Sequence, residues 1–255
     1  MQRLNQFWRI IATAIGFTLF GLGGLFISIL IFPIHNLFVK KPSKQKKFAR
    51  QTILLSFKIF ISFIRFLGAI DYKLIDFHKL KNEKNTIIIA NHPSLLDFVI
   101  LASHIENCSC IVKGALLHNF FLKRIVKAAN YIPNNSNSEI LIKDCQTKLL
   151  PEDLLLIFPE GTRTTYPKPI SLQRGAANIA LRTKRDLQLI HISLSAPLLT
   201  KELKWYKVPP IKPVFTIRVG EKIHLRDLPK TEKSLNIQAR ELTEILRKSL
   251  QKPFQ

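Results

Sequence analysis

The side chains best suited to chemistry fall in two short stretches. In the first, Asn91-His92-Pro93-Ser94-Leu95-Leu96-Asp97, a histidine and a carboxylate follow directly on the apolar run Thr86–Ala90. An aspartate bent back onto the imidazole would fix its tautomer and leave the second ring nitrogen to take a proton from a hydroxyl. The same residues admit a plainer role, because Ser94 and Asp97 have the Ser-x-x-Asp spacing of a helix capping box and Pro93 suits the first turn of a helix. The second stretch, Phe158-Pro159-Glu160-Gly161-Thr162-Arg163, ends another apolar run. Gly161 permits a tight turn and close backbone approach to a ligand, Thr162 offers a hydroxyl, and Arg163 offers a planar fork of donors matched to phosphate.

Both apolar runs read as buried strands. They would deliver the two stretches to turns at strand carboxyl ends, where open α/β sheets place their ligands. Further strands are expected over residues 72–76, 109–112, 188–194 and 214–219, and helices over 94–103, 136–149, 172–182 and, amphipathic, 235–250. That alternation predicts an α/β domain over residues 71–255, with a mostly parallel mixed sheet flanked by helices.

Residues 10–34 carry no charge, more than the roughly 20 apolar residues a helix needs to cross a bilayer. Arg3 and Arg9 precede them, and Lys40, Lys41, Lys44, Lys46, Lys47 and Arg50 follow, so the heavier basic cluster puts the carboxyl side in the cytoplasm. The length of the run, followed by lysines, favours a retained anchor over a cleaved signal peptide. Gly21, Gly23 and Gly24 also admit a hairpin that dips into one leaflet. In a second apolar stretch, 52–70, Lys58 and Arg65 fall on nearly one helical face, which suits either an interfacial helix or a buried helix of the domain. Residues 1–70 are therefore expected to form a membrane anchor, a transmembrane or re-entrant helix followed by an interfacial one.

A formal net charge of +22 over 255 residues calls for an anionic partner. With this amino terminus that partner is an anionic bilayer surface, and no aromatic-interleaved basic motif suggests nucleic acid. Cys108, Cys110 and Cys145 have neither zinc-finger nor redox spacing and read as free thiols of a reducing compartment. No metal site is expected among the scattered histidines. His35, His78, His104, His118 and His224 lack a partner at a useful spacing, and His191 reads as a strand-end residue.

Together the two stretches resemble the hallmark of the glycerolipid acyltransferases typified by 1-acyl-sn-glycerol-3-phosphate acyltransferase: Asn-His-x-Ser-x-x-Asp, then Phe-Pro-Glu-Gly-Thr-Arg. The resemblance runs over about residues 72–221 and is similar to short bacterial members. It implies acyl transfer from a thioester to a lysophospholipid hydroxyl in phospholipid biosynthesis, with acyl-CoA or acyl carrier protein as co-substrate and no cofactor. The setting it implies is the bacterial inner membrane, with the domain facing the cytoplasm. His92 and Asp97 would be catalytic, and Glu160, Gly161, Thr162 and Arg163 would hold the polar head of the acceptor. Lys113 resembles a lysine the family uses near the acceptor phosphate, and Arg174 belongs to a stretch resembling a basic-x-Gly-Ala element. The family type implies 1-acyl-sn-glycerol-3-phosphate as acceptor and phosphatidic acid as product. Asn134 and Asn135 depart from the usual glycine and basic residue, and His191 stands in a block that usually contains proline. These departures leave open another lipid acceptor, as in aryl polyene lipid assembly. A non-enzymatic basic membrane-binding protein is the other alternative, against which the intact His92 and Asp97 speak.

Overall fold

The computed structural model describes residues 2–134, 137–164, 169–229 and 233–251. Its strands are β1 (Asp71–Ile75), β2 (Thr86–Ala90), β3 (Cys108–Lys113), β4 (Ile132–Asn134), β5 (Leu154–Ile157), β6 (Asp186–Leu194) and β7 (Val214–Ile223). Every residue of β2 is buried. Successive side chains of a strand point to opposite faces, so Ile88 and Ala90 enter one core while Ile87 and Ile89 enter another. Such a strand needs cover on both sides, and β2 lies mid-sheet in the order β1-β7-β6-β2-β5-β3-β4. Neighbours are parallel except for antiparallel β6 and β7. The carboxyl ends of β2, β3, β4, β5 and β6 therefore share one edge.

One face is covered by α6 (Ser138–Lys148), α7 (Gly175–Thr183) and α8 (Leu235–Gln251). Ala239, Leu242, Leu246 and Leu250 form the single buried stripe of α8, the pattern of a helix lying on a sheet. The other face is covered by α3 (Pro42–Phe66) and α4 (Asp97–Ala102), with α1 (Gln2–Phe26) over them. After α1 a π-helical turn, Ile27–Ile31, leads into α2 (Phe32–Phe38). Pro33 removes a backbone donor near that point, and a local π turn is one adjustment that re-satisfies the backbone groups so freed.

Residues Arg3–Phe38 are long and apolar enough to cross a bilayer, yet α1 lies lengthwise against the domain. Gln6 Nε2 donates to the Val208 carbonyl at 2.8 Å, Trp8 Nε1 to Leu67 at 2.8 Å, and Arg9 to the carbonyls of Pro209 and Pro210. Ala12 is fully buried, a Cβ on Gly16 would stand 3.4 Å from Ile64, and Phe20 packs on Phe57 and Phe60. The core containing Ala12, Ile61 and Ile64 also holds Ile88, Ile190 and Phe215. Packing thus runs continuously across residue 70.

Four details differ from the sequence reading. β4 was not anticipated, because Pro133 interrupts a run of three residues; as an edge strand it tolerates the missing donor. The short helix α5 (Lys123–Ala128) was also missed. α4 starts at Asp97 rather than near Ser94, so Pro93 precedes the helix instead of opening it. Finally, two residues of the basic cluster point inward. Arg50, 5% exposed, donates to Asp153 at 2.6 Å and to the Ala129 and Asn107 carbonyls, while Lys46 meets the other Asp153 oxygen at 3.1 Å. Those two charges are compensated by protein and are not available to lipid.

Removing the Asp153 carboxylate would strand a buried guanidinium. Asp153→Ala should cost about 3–5 kcal/mol, whereas truncating exposed Lys47 should stay within about 0.5 kcal/mol. Thermal and denaturant unfolding in detergent would measure both.

Candidate active site

β2 delivers Asn91 and His92 to the carboxyl edge of the sheet. The Asn91 side chain acts as an extra rung of the ladder: its Nδ2 donates to the Ile192 carbonyl and its Oδ1 accepts from the Ile192 amide, both at 2.7 Å. That locks the chain entering His92 to β6. His92 Nδ1 then lies 2.9 Å from Asp97 Oδ2, and the same oxygen accepts the Ser94 amide at 2.7 Å. One oxygen therefore orients the imidazole and closes the turn before α4, whose N-cap residue Leu96 has no side-chain cap. Ser94 itself turns away, its hydroxyl donating to the Leu198 carbonyl at 2.8 Å.

Asp97 is fully buried, and its Oδ1 has no hydrogen-bond partner among the described residues. Burial pushes its carboxyl up to about 6, against the opposing hydrogen bond and charge of His92 and the Ser94 amide. The imidazole stacks on Phe158 with ring centroids 4.1 Å apart. With Nδ1 engaged by Asp97, Nε2 is the nitrogen left for a substrate hydroxyl.

The second stretch is bound to the first. Glu160 Oε1 accepts the His92 amide at 2.7 Å, and the Thr164 amide donates to the His92 carbonyl at 2.9 Å. Gly161 has a φ of +68°, a conformation few side chains tolerate, and closes the turn by donating to Phe158 at 3.1 Å. Arg163 Nη1 donates to the carbonyls of Leu199 and Thr200 at 2.6 and 3.2 Å. The Leu199 carbonyl also accepts the Leu95 amide at 3.1 Å, so the arginine-bearing turn and the histidine loop meet at one oxygen.

Of the residues expected to hold an acceptor, Glu160 is 5% exposed and braces the His92 backbone. Burial raises its carboxyl pKa, opposed by bonds from Thr164 and His92. Thr162 and Arg163 are half-buried beside it and Gly161 is exposed. Lys113, exposed, ends β3 in register with Asn134 on the same sheet edge, and Arg174 is exposed just before α7. Asn135 lies outside the described residues. Sequence reasoning missed the roles of Asn91, Phe158 and the segment 198–200. Asn91 and Phe158 stood in the quoted motifs, while nothing in Leu198-Leu199-Thr200 signals its task. His224 does have a partner, Asp186 Oδ2 at 2.7 Å, but Asp186 begins β6, at the edge opposite the His92 loop.

Beside His92 opens a cavity of about 410 Å³ whose wall is almost wholly apolar. It is bounded by Gly16 and Phe20 of α1, Phe57 and Phe60 of α3, and Leu95 and Phe98 of the histidine segment. A histidine oriented by a dry carboxylate and facing such a space is equipped to move a proton beside a hydrophobic substrate.

Residues 72–196 match the acyltransferase family. A putative 1-acyl-sn-glycerol-3-phosphate acyltransferase of Caenorhabditis elegans, acl-2, is 30% identical over 114 residues, which make up 42% of this chain and only 40% of that protein. The crystal structure of the 1-acyl-sn-glycerophosphate (LPA) acyltransferase PlsC from Thermotoga maritima shares the fold, with a TM-score of 0.67 at 18% identity over 100% of both chains.

A carboxyl whose pKa is raised to about 6 in the fold, above its ordinary 3.8, favours the protonated form. Its contribution to stability is full below pH 4 and is lost as pH rises through about 6. Asp97→Asn should therefore melt at a higher temperature than the parent protein at pH 8, with the gap narrowing below pH 6. A lower melting temperature at pH 8 would mean that the ionic contact outweighs the burial cost.

Proposed function

We propose that this protein transfers a fatty acyl group from an acyl thioester to the hydroxyl of a lysophospholipid, 1-acyl-sn-glycerol-3-phosphate in the first instance, giving phosphatidic acid. One observation carries the reading: the His92–Asp97 pair opens onto an apolar cavity walled jointly by α1, α3 and the sheet. His92 Nε2 takes the acceptor's proton as its oxygen attacks the thioester carbonyl. The imidazolium so formed is stabilised by Asp97. The tetrahedral intermediate then expels the thiolate, which recovers that proton. General-base assistance contributes about two to four orders of magnitude, and the remainder comes from positioning of substrate. The cavity receives acyl chain, and its apolar wall disfavours the water that would hydrolyse the thioester.

Arg163 is the acceptor-phosphate candidate, because the bonds from Nη1 fix the guanidinium plane while leaving the rest of the fork to a ligand. Lys113 and Arg174, exposed on the same side of the fold as the strand ends, are secondary candidates. Glu160 serves by holding the His92 loop. Asn134 and Asn135, which stand where a glycine and then a basic residue are usual, favour comparison with acceptors of a different headgroup, including those of aryl polyene lipid assembly. Acyl-CoA and acyl carrier protein are both anionic, so a net charge of +22 suits either donor.

The exposed apolar side chains of the amino-terminal helices, among them Leu22, Phe26, Ile29, Leu55, Ile59 and Phe63, support docking in the plane of the membrane interface. On this reading α1 lies within one leaflet, and the catalytic edge works at the cytoplasmic surface of the bacterial inner membrane.

Membranes containing the protein, given labelled thioesters and a panel of lysolipids, should acylate lysophosphatidic acid, with the product read by mass spectrometry. His92→Ala should lower the rate by at least about two orders of magnitude, and near-normal transfer would remove His92 from the mechanism. In the parent enzyme the rate should fall as pH drops below about 6, where Asp97 takes up its proton. Arg163→Ala should raise KM for a phosphorylated acceptor about tenfold or more, as expected on losing a charge-assisted bond, and leave an uncharged acceptor less affected. An equal loss for both would assign Arg163 to holding Leu199 and Thr200 alone.

A further inference from the structure

Between β6 and β7 the chain reads Lys201-Glu202-Leu203-Lys204-Trp205-Tyr206-Lys207-Val208-Pro209-Pro210-Ile211 and holds large apolar side chains outward. Trp205 and Tyr206 are exposed, with rings perpendicular at 5.7 Å, and Ile211 is 69% exposed. The loop is built. The Lys207 amide donates to Lys204 at 2.9 Å, closing a turn with the two aromatic residues at its tip. Its following limb is held by α1 through the bonds from Gln6 and Arg9 to Val208, Pro209 and Pro210.

The rings of Trp205 and Phe17 meet edge-on with centroids 6.2 Å apart, and Phe17 is itself exposed on α1. The apolar surface of α1 therefore continues onto this loop. Lys204 and Lys207 place their ammonium groups 5.9 and 6.0 Å from the Tyr206 ring centroid. A tryptophan and a tyrosine among lysines match the chemistry of the headgroup level, where an amphipathic ring has lipid on one side and water on the other.

We propose that the loop 201–211 is a second bilayer anchor. Trp205 and Tyr206 enter the interface of a membrane carrying anionic phospholipid, and Lys201, Lys204 and Lys207 meet its phosphates. This rests on the docking of α1 proposed above and extends it to a contact on the carboxyl side of the site. The loop follows directly on Leu198–Thr200, whose carbonyls hold Ser94, Leu95 and Arg163. The depth of Trp205 in the bilayer therefore fixes the depth of the catalytic edge.

The chain has two tryptophans, so Trp8→Phe leaves Trp205 as sole reporter and Trp205→Phe leaves Trp8 to report on α1. Each full-length variant is mixed with equimolar phosphatidylcholine and phosphatidylglycerol vesicles, with and without brominated acyl chains. Trp205 emission should shift to the blue and be quenched by the brominated lipid. Adding Lys204→Gln and Lys207→Gln should weaken partitioning about thirtyfold, ~1 kcal/mol for each charge. Quenching of Trp8 without quenching of Trp205 overturns the loop anchor and leaves α1 docked. Quenching of neither, with no cosedimentation, overturns both.

Discussion

A carboxylate sealed from water behind an imidazole is the contact the surrounding architecture serves. Withdrawing an ionised group from water costs several kcal/mol, and at Asp97 two bonds to one oxygen offset only part of it. Such an arrangement persists only where neighbours leave it no alternative. Asn91 ties the approach to β6, Glu160 ties the His92 amide to the turn after β5, and Ser94 ties the far side to Leu198. Because β2 and β5 are parallel neighbours in register from Thr86 and Leu154, their following turns emerge side by side. The two motifs can therefore share hydrogen bonds without a long loop between them.

How much of this could be read from residue order depends on the range of each contact. β2 and β5 were legible because central parallel strands are apolar on both faces, and α8 because its buried side chains repeat with the helix. The mostly parallel α/β architecture followed from those elements. The His92–Asp97 pair was legible because its members are five residues apart. The bracing contact of Glu160 was not, since its partner is an amide 68 residues earlier. Arg50 failed for the same reason: among lysines it reads as a surface cation, and Asp153 lies 103 residues away. His224 found Asp186 across 38 residues, beyond any local spacing rule.

Composition left more open at the amino terminus. A helix apolar on all sides is one that meets apolar surroundings on all sides, and residues 10–34 satisfy that condition without specifying what the surroundings are. Protein supplies them along Ala12, Gly16 and Phe20, which face the core or cavity. The small residues matter there, since Gly16 and Gly24 each let a neighbouring isoleucine approach to where a Cβ would stand 3.4 Å away. Ile15, Leu19, Leu22 and Phe26 remain uncovered on the other side.

On the proposed function those two faces have a single explanation. One helix, about 10 Å across with its side chains, separates the cavity beside His92 from the surface expected to meet lipid. An acyl chain passing between bilayer and cavity then moves from one apolar phase to another across the thickness of α1. Exposing it to water on the way would cost about 0.8 kcal/mol per methylene, a penalty large enough over a fatty chain to stop transfer at any useful rate. A helix that crossed the bilayer and left the domain behind would remove the cavity wall at Gly16 and Phe20. The packing of α1 on α3 is therefore as much a condition of the proposed chemistry as the carboxylate behind the imidazole.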